Sequence, residues 1–286
     1  MQPVEALSGR TVFIAGSAKN AGKTTFLNFA LSRLRPLGRV GFLSIGVDGE
    51  ERDLVFGNPK PRVRAQAGDL LVTTDRMLRA SGLEASLLEV FSGSTVLGRL
   101  VLASVRRGGA VELAGPEHNL QLGEIINALR ARGAHTVLVD GAADRLTQIA
   151  SFADAVAVHV VRVDPLRLEA ARDSLRLLYA LSQAPALEGL DESSRLELAG
   201  ALTRDRLAAL PREVRGLVLE DSTKVFLTWR EWKAARARLD IRFQRRLELG
   251  FFCVVLQDLS RDTFEAGLEP ELAGRILYNP YEAVPA

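Results

Sequence analysis

The stretch FIAGSAKNAGKTTFLNF, from Phe13 to Phe29, decides how the rest of the chain is read. Its lead-in, TVFIA (11–15), is a short β-branched and aromatic run of the kind that forms a strand buried on both faces. A glycine-bearing turn follows, and Lys-Thr-Thr then opens a helical pattern. Leu27, Ala30, Leu31 and Leu34 recur at the i, i+3, i+4, i+7 spacing of one helix face. RPLG closes that helix, and RVGFLSIG (39–46) reads as a second strand. Strand, glycine loop, helix, strand is the opening βαβ unit of a parallel sheet.

The loop nearly matches the phosphate-binding pattern G-x-x-x-x-G-K-[ST]. Anchored on Gly22-Lys23-Thr24, the leading position falls on Ser17, and Gly16 stands one residue early. The physical requirements survive that shift. Successive backbone N–H groups can turn inward as an anion nest, and the helix that follows adds its positive end. The expected nucleotide-binding set is Gly16, Ser17, Ala18, Lys19, Asn20, Ala21, Gly22, Lys23, Thr24 and Thr25. Lys23 would reach the β- and γ-phosphates, the Thr24 hydroxyl would ligate Mg²⁺, and Thr25 would hold the α-phosphate. The bland alternative is a glycine-rich turn without a ligand; the buried strand before it and the amphipathic helix after it favour the nucleotide. Lys19 has two readings. One branch of P-loop ATPases uses a loop lysine across a dimer, but five residues before the invariant lysine, where this chain has Ala18. Lys19 lies four before Lys23, so a homodimer role stands beside that of a solvated loop lysine.

Mg²⁺ takes one or two carboxylates beside phosphate. Asp140 ends the apolar run HTVLVD (135–140), at the strand end where ligands sit in open α/β sheets, and is the expected second metal ligand; a helix cap is its alternative. Asp48 follows the second strand in SIGVDGEERD, with Glu51 and Asp53 behind it, where a metal ligand or a water-positioning acid would sit; a turn aspartate before Gly49 fits as well. In DGAADR (140–145), Gly141 would let backbone approach the γ-phosphate, and Arg145 could neutralise transition-state charge or merely form a surface ion pair with Asp144. The expected catalytic set is Lys23, Asp48, Asp140 and Arg145, and the expected metal set is Thr24, Asp48 and Asp140. No N/T-K-x-D guanine motif follows a late strand: Asp164-Pro165 stands after VAVHVVRV, and TKVF (223–226) fails the pattern. ATP is therefore expected rather than GTP.

The rest of the chain organises around this core. Short strand-like runs and turns fill 59–114, with a short helix near DRMLRAS and a hairpin expected at Gly108-Gly109. A helix from Asn119 carries Leu122, Ile125, Ile126 and Leu129 on one face and stops at Gly133. DAVAVHVVRV (154–163) reads as a strand, and Asp164-Pro165 as a helix start reaching Ser182. Beyond 183, a linker-like APALEGLDESS precedes a helix expected over 194–210. RGLVLED and LGFFCVVLQD then read as strands around the helical TWREWKAARARLD. No internal repeat is evident. The expected fold is α/β: a three-layer P-loop NTPase with a mostly parallel central sheet, an antiparallel β insertion and a C-terminal α/β extension. Its nucleotide-binding core would span 1–58 and 115–182, the insertion 59–114, and the C-terminal region 183–286.

The 286 residues are 47% hydrophobic and 25% charged, ordinary for a globular chain, and the formal charge of +2 makes no case for a dedicated nucleic-acid binder. No apolar run approaches the length of a membrane span, and MQPVEALSGR lacks the basic start and long apolar core of a secretory leader. The single cysteine, Cys253, reads as a buried small hydrophobe and permits no disulfide within one chain, so the cytoplasm is the expected compartment. His118, His135 and His159 show no zinc spacing.

The early Gly-Lys-Thr-Thr loop, the acid-bearing second strand and the strand ending in Asp-Gly resemble the P-loop class that includes dethiobiotin synthetase, cobyrinic acid amidating enzymes and septum-positioning ATPases. That similarity covers about 1–58 and 115–182. More narrowly, GSAKNAGKTT, SIGVDGEERD, PKPRV and VDGAADR, in that order, resemble P-loop proteins found with cobalamin-dependent aminomutases. The resemblance implies an ATPase serving a cobalamin enzyme, with Lys23 and Thr24 on nucleotide and magnesium and with Asp48, Glu51 and Asp140 round the γ-phosphate. Three functions follow as expectations: a Mg²⁺-dependent ATPase acting on a protein partner, a small-molecule kinase or ligase of the dethiobiotin type, and a nucleotide-binding module without turnover.

Overall fold

Thr11–Gly16 forms the first strand, β1, and all six of its residues are buried. The computed structural model of the chain describes residues 3–17, 20–45, 62–93, 95–116, 119–141, 154–185, 187 and 195–281. A strand with no solvent-facing side needs a neighbour on each edge and a packed layer on each face. β1 has both. It pairs in parallel with β8 (Thr136–Asp140) on one edge and with β9 (Ala155–Val163) on the other.

These strands are the centre of a nine-stranded sheet. Its further members are β2 (Val40–Ser44), β4 (Leu70–Thr74), β5 (Glu84–Val90), β6 (Leu100–Arg107), β15 (Leu249–Leu256) and β16 (Ile276–Tyr278). Their spatial order is β16-β15-β9-β1-β8-β2-β4-β6-β5. Every pairing from β16 to β4 is parallel, and β6 runs antiparallel to both β4 and β5.

Alternation along the strands divides the core into two faces. Val12, Ile14, Phe42, Leu138, Val156 and Val158 pack with Phe26, Leu27, Ala30, Leu31 and Leu34 of helix α1 (Lys23–Leu34). Phe13, Ala15, Leu43, Val137 and Val139 pack on the opposite face with Leu122, Ile125, Ile126 and Leu129 of α3 (Asn119–Ala131). α4 (Leu168–Ser182) covers Val161, Val163, Phe252 and Val254 through Ala171 and Leu175. The protein is therefore a three-layer α/β structure built on a mostly parallel sheet. Among the described residues no helix is long and apolar enough to cross a membrane.

The stretch expected as an insertion is tied closely to this core. β4, β6 and β5 extend the central sheet, with α2 (Asp75–Ala80) between β4 and β5. β3 (Val63–Ala65) and β7 (Gly109–Val111) form an antiparallel ribbon whose Val63, Ala65 and Val111 pack with the residues of α1. The Asn28 side chain grips that ribbon from α1, donating to Arg62 O at 3.1 Å and accepting from Arg64 N at 2.8 Å. Immediately past the helix end, Arg35 donates to both carboxylate oxygens of Asp69, at 2.8 and 3.1 Å. The hairpin expected at Gly108-Gly109 does not form. β6 pairs with β4 and β5, whereas β7 leaves the sheet to pair with β3. Gly108 is the corner: a Cβ there would lie 2.6 Å from Ala65 O, so glycine serves a close backbone crossing and not a turn.

The region beyond 195 departs most from expectation. Instead of one helix over 194–210, β10 (Arg195–Glu197) and β11 (Leu202–Thr203) precede a short α5 (Arg204–Ala208). Gly200, at φ 79, turns the chain between the strands. The same sequence of elements recurs as β12 (Gly216–Leu219), β13 (Val225–Phe226) and α6 (Trp229–Arg238), and β14 (Asp240–Phe243) follows. β10, β12 and β14 pair in parallel, as do β11 and β13. Thr203 and Thr228 cap the two helices in the same way. This is a structural repeat that the sequence conceals, because only the capping threonine and the apolar strand positions are shared. α7 (Arg261–Glu265) and α8 (Pro270–Ala273) then lead to the edge strand β16. Cys253 is buried as expected; burial pushes its thiol up to about 12, and its Sγ lies 3.3 Å from the Tyr281 hydroxyl.

Asp69 is 3% exposed and also accepts from Gln66 N at 2.8 Å. Removing one partner of a buried ion pair strands the other charge, which costs about 3 kcal/mol or more. Asp69→Ala is expected to lower unfolding stability by about that amount in urea titration, and a loss below about 1 kcal/mol would show that the clasp is not a stabilising contact.

Candidate functional site

The upper edge of the sheet, where the parallel strands end, brings together the loop after β1, the first turn of α1 and the end of β8. The loop stays paired as it leaves the sheet: Gly16 is in register with Val160, and Ser17 N donates to Val160 O at 3.2 Å. Asn20 (φ 63) and Gly22 (φ 100) both take left-handed conformations. Such reversals of handedness turn neighbouring N–H groups to one side and form an anion-binding concavity.

Gly22 immediately precedes α1, and the first intrahelical bond is Phe26 N to Gly22 O at 2.9 Å. The N–H groups of the first turn, at Lys23, Thr24 and Thr25, have no intrahelical acceptor. Gly22 at the N-cap brings no side-chain cap, and the first turn carries no acidic residue. The positive end of a 12-residue helix thus faces the loop.

Gly16, the residue that looked misplaced in the phosphate pattern, has a steric role. A Cβ at Gly16 would meet Lys23 Cγ and Cδ at 3.0 Å and Ala21 Cβ at 3.3 Å. The lysine stem lies across the glycine, and Ala21 folds down beside it. Any larger residue at 16 would push that stem away.

Thr24 Oγ1 donates to Asp140 Oδ2 at 2.8 Å. This contact joins residues 116 positions apart, and Asp140 is 7% exposed. Two oxygens at cis positions of a Mg²⁺ octahedron stand about 2.9 Å apart, given metal–oxygen bonds of about 2.0–2.1 Å. The Thr24–Asp140 distance is compatible with that spacing, although it is equally that of an ordinary O–H···O hydrogen bond. Among the described residues there is no group of three or more His, Cys, Asp or Glu that could hold a metal alone. An ion here would depend on hydroxyls, water and a phosphate ligand for the rest of its shell.

Of the residues expected from the sequence, Gly16, Ser17, Asn20, Ala21, Gly22, Lys23, Thr24, Thr25 and Asp140 lie at this edge. Ala18, Lys19, Asp48, Glu51, Asp53, Asp144 and Arg145 lie outside the described residues. Gly141, at φ 97, sits against the end of β2: a Cβ would lie 3.2 Å from Ile45 O. Gly115 crosses the same strand end, and a Cβ there would fall 1.5 Å from Ser44 O. Nothing in the sequence pattern singles out Gly115, because its need for glycine comes from a chain segment 71 residues away.

His159 is a second feature that spacing did not reveal. It pairs in register with Ala15, one residue before the loop begins. Its side chain is on the face opposite α1, beside a cavity of about 10 Å³ lined by Ala15, Ala157, Leu178, Leu247 and Leu249. That is room for one water. The ring meets Phe252 edge-on at 6.1 Å, and among the described residues Nε2 has no hydrogen-bond partner. Burial, helped by the charge of Lys23, pulls its pKa from 6.5 down to about 4. The imidazole is thus a neutral filler behind the loop at ordinary pH.

Comparison with protein-family models, with curated proteins and with solved structures finds no match to this chain. Its chemistry has to be argued from the geometry above.

An unfolded histidine takes up its proton near pH 6.5, whereas folded His159 stays neutral down to about 4. Between those values the unfolded state binds more protons, so stability falls as the pH drops through this window and is fully present above it. The expected loss is about 3 kcal/mol across the window. Urea titrations of the wild type and His159→Leu at pH 7 and pH 4.5 check this: the variant should lose much less stability on acidification, and equal losses would exclude His159 as the source.

Proposed function

We propose that this protein is a Mg²⁺-dependent P-loop nucleoside triphosphatase that uses ATP and acts on a protein partner. The observation that carries the reading is the 2.8 Å hydrogen bond between Thr24 and Asp140. It links the hydroxyl that opens the loop helix to the acid that ends the neighbouring strand. A buried carboxylate at a strand end is costly, so its retention beside a hydroxyl calls for a role. Their meeting has a purpose if a divalent ion and its phosphate ligand take the place between them.

In this reading the first-turn N–H groups and the loop nest hold the phosphates, and Lys23 extends from its bed on Gly16 toward the β- and γ-phosphates. Thr24 and Asp140 would hold the ion, whose chemistry when bound would be neutralisation of phosphate charge. Asp48 remains the proposed metal ligand or water-positioning acid, and Arg145 the proposed cation that neutralises transition-state charge. The absence of a guanine-recognition motif favours ATP. The resemblance to proteins found with cobalamin-dependent aminomutases makes a cobalamin enzyme the proposed partner.

Calorimetric titration with ATP·Mg²⁺ and GTP·Mg²⁺ tests the core of the proposal. The wild type should bind ATP more tightly than GTP, and Lys23→Ala should weaken ATP binding at least about tenfold, the loss of one charge-assisted phosphate contact. Asp140→Asn should keep binding in EDTA and lose Mg²⁺-dependent turnover. If the wild type binds neither nucleotide at millimolar concentration, the reading is wrong.

A further inference from the structure

The end of β2 carries a polar group that the reading above does not use. Ser44 is the last residue of β2 and stands in register with Asp140 on β8, which in turn stands in register with Ile14 on β1. In-register residues of a parallel sheet point to the same face. The packing fixes which face that is. Phe42, Leu138, Val12 and Ile14 pack toward α1, and Leu43, Val139 and Phe13 pack away from it. Ser44 and Asp140, each two residues beyond an α1-facing position, therefore both point to the α1 side. Thr24 reaches Asp140 from that side.

Ser44 is thus the neighbour of the Thr24–Asp140 pair on the strand beyond. The α1-facing residues below it, Val40 and Phe42, are buried and apolar, whereas Ser44 is partly exposed. No hydrogen bond engages its hydroxyl among the described residues. Two glycines hold this strand end in place. Gly115 lies against the Ser44 carbonyl so closely that a Cβ would come within 1.5 Å of its oxygen. Gly141 lies beside the hydroxyl: a Cβ there would sit 3.4 Å from Ser44 Oγ. The backbone bond Ile45 N to Asp140 O, at 2.8 Å, fixes the two strand ends to each other.

We propose that Ser44 is a positioning residue of the metal shell, its hydroxyl hydrogen-bonded to a metal-bound water on the side of Asp140 away from Thr24. The inference rests on the nucleotide and metal reading of the same edge. An ion that keeps several waters is served by neighbouring oxygens that orient them, and Asp140 offers such oxygens on the β8 side. Ser44 supplies an oxygen on the other side, from a strand end clamped by Gly115. The hydroxyl touches neither phosphate nor the ion, so its effect is on how tightly the ion is held.

The test is ATP binding by calorimetry in EDTA and across a Mg²⁺ series, for the wild type, Ser44→Ala and Ser44→Thr, with a thermal melt on each. Ser44→Ala should leave ATP affinity in EDTA within about twofold of the wild type and raise the Mg²⁺ concentration for half-maximal enhancement of binding about tenfold, the usual scale for removing a partner of a metal's ligand shell. Ser44→Thr, which keeps the hydroxyl, should restore most of that loss. An unchanged Mg²⁺ dependence in Ser44→Ala overturns the role of Ser44 and leaves the nucleotide reading standing. An equal loss of affinity in EDTA and in Mg²⁺ shows a merely structural role and overturns it too. Failure of the wild type to bind ATP overturns both.

Discussion

Complete burial of β1 is the constraint from which the rest of the upper edge follows. A strand with apolar side chains on both faces has to be a central strand, paired along both edges. β8 and β9 flank it in register. The loop after Gly16 therefore emerges between the end of β8, which carries Asp140, and the continuing β9, whose Val160 accepts the Ser17 N–H. α1 then returns across the face lined by Val12, Ile14, Leu138 and Val158, and its first turn is delivered to the same edge. This geometry brings Thr24 within hydrogen-bond distance of Asp140.

The outer strands add support without adding chemistry. The β3–β7 ribbon packs on α1, gripped by Asn28 and by the Arg35–Asp69 pair, so the loop helix is held along its length and beyond its end. The segment leaving that ribbon passes over the end of β2 at Gly115. The ribbon and α1 are consequently packed together, and the chain that leaves the ribbon also touches the β2 end. On the other edge, β15 and β16 complete the sheet, and the repeat unit of 195–243 stands on the packing of Leu181 and Ala184 at the end of α4 with Leu217, Leu219 and Trp232.

Particular residues show how far local pattern carries. The 3.6-residue period of Leu27, Ala30, Leu31 and Leu34 and the unbroken apolar run at 11–15 have one favourable arrangement each, and both formed. Gly108-Gly109 is different. A glycine pair is compatible with a tight turn and with a close crossing, and the choice depends on whether β7 finds a better partner in β6 or in β3. Likewise 194–210 has a helical composition, but Arg195–Glu197 gains more by pairing with β12 than a short exposed helix would provide.

By itself, the sequence determined the βαβ opening, the helix start at Gly22-Lys23-Thr24 and the strand ending in Asp140, since these rest on periodicity and on interactions between near neighbours. Only the tertiary structure decided that Gly16 serves as the bed for the Lys23 stem, that Thr24 and Asp140 stand 2.8 Å apart, and that Gly115 and Ser44 share one strand end. Each of these is a contact between segments separated by turns or by whole elements. Such contacts leave no periodic trace in the chain, because the distance they depend on is set by how strands and helices pack, not by how many residues lie between them.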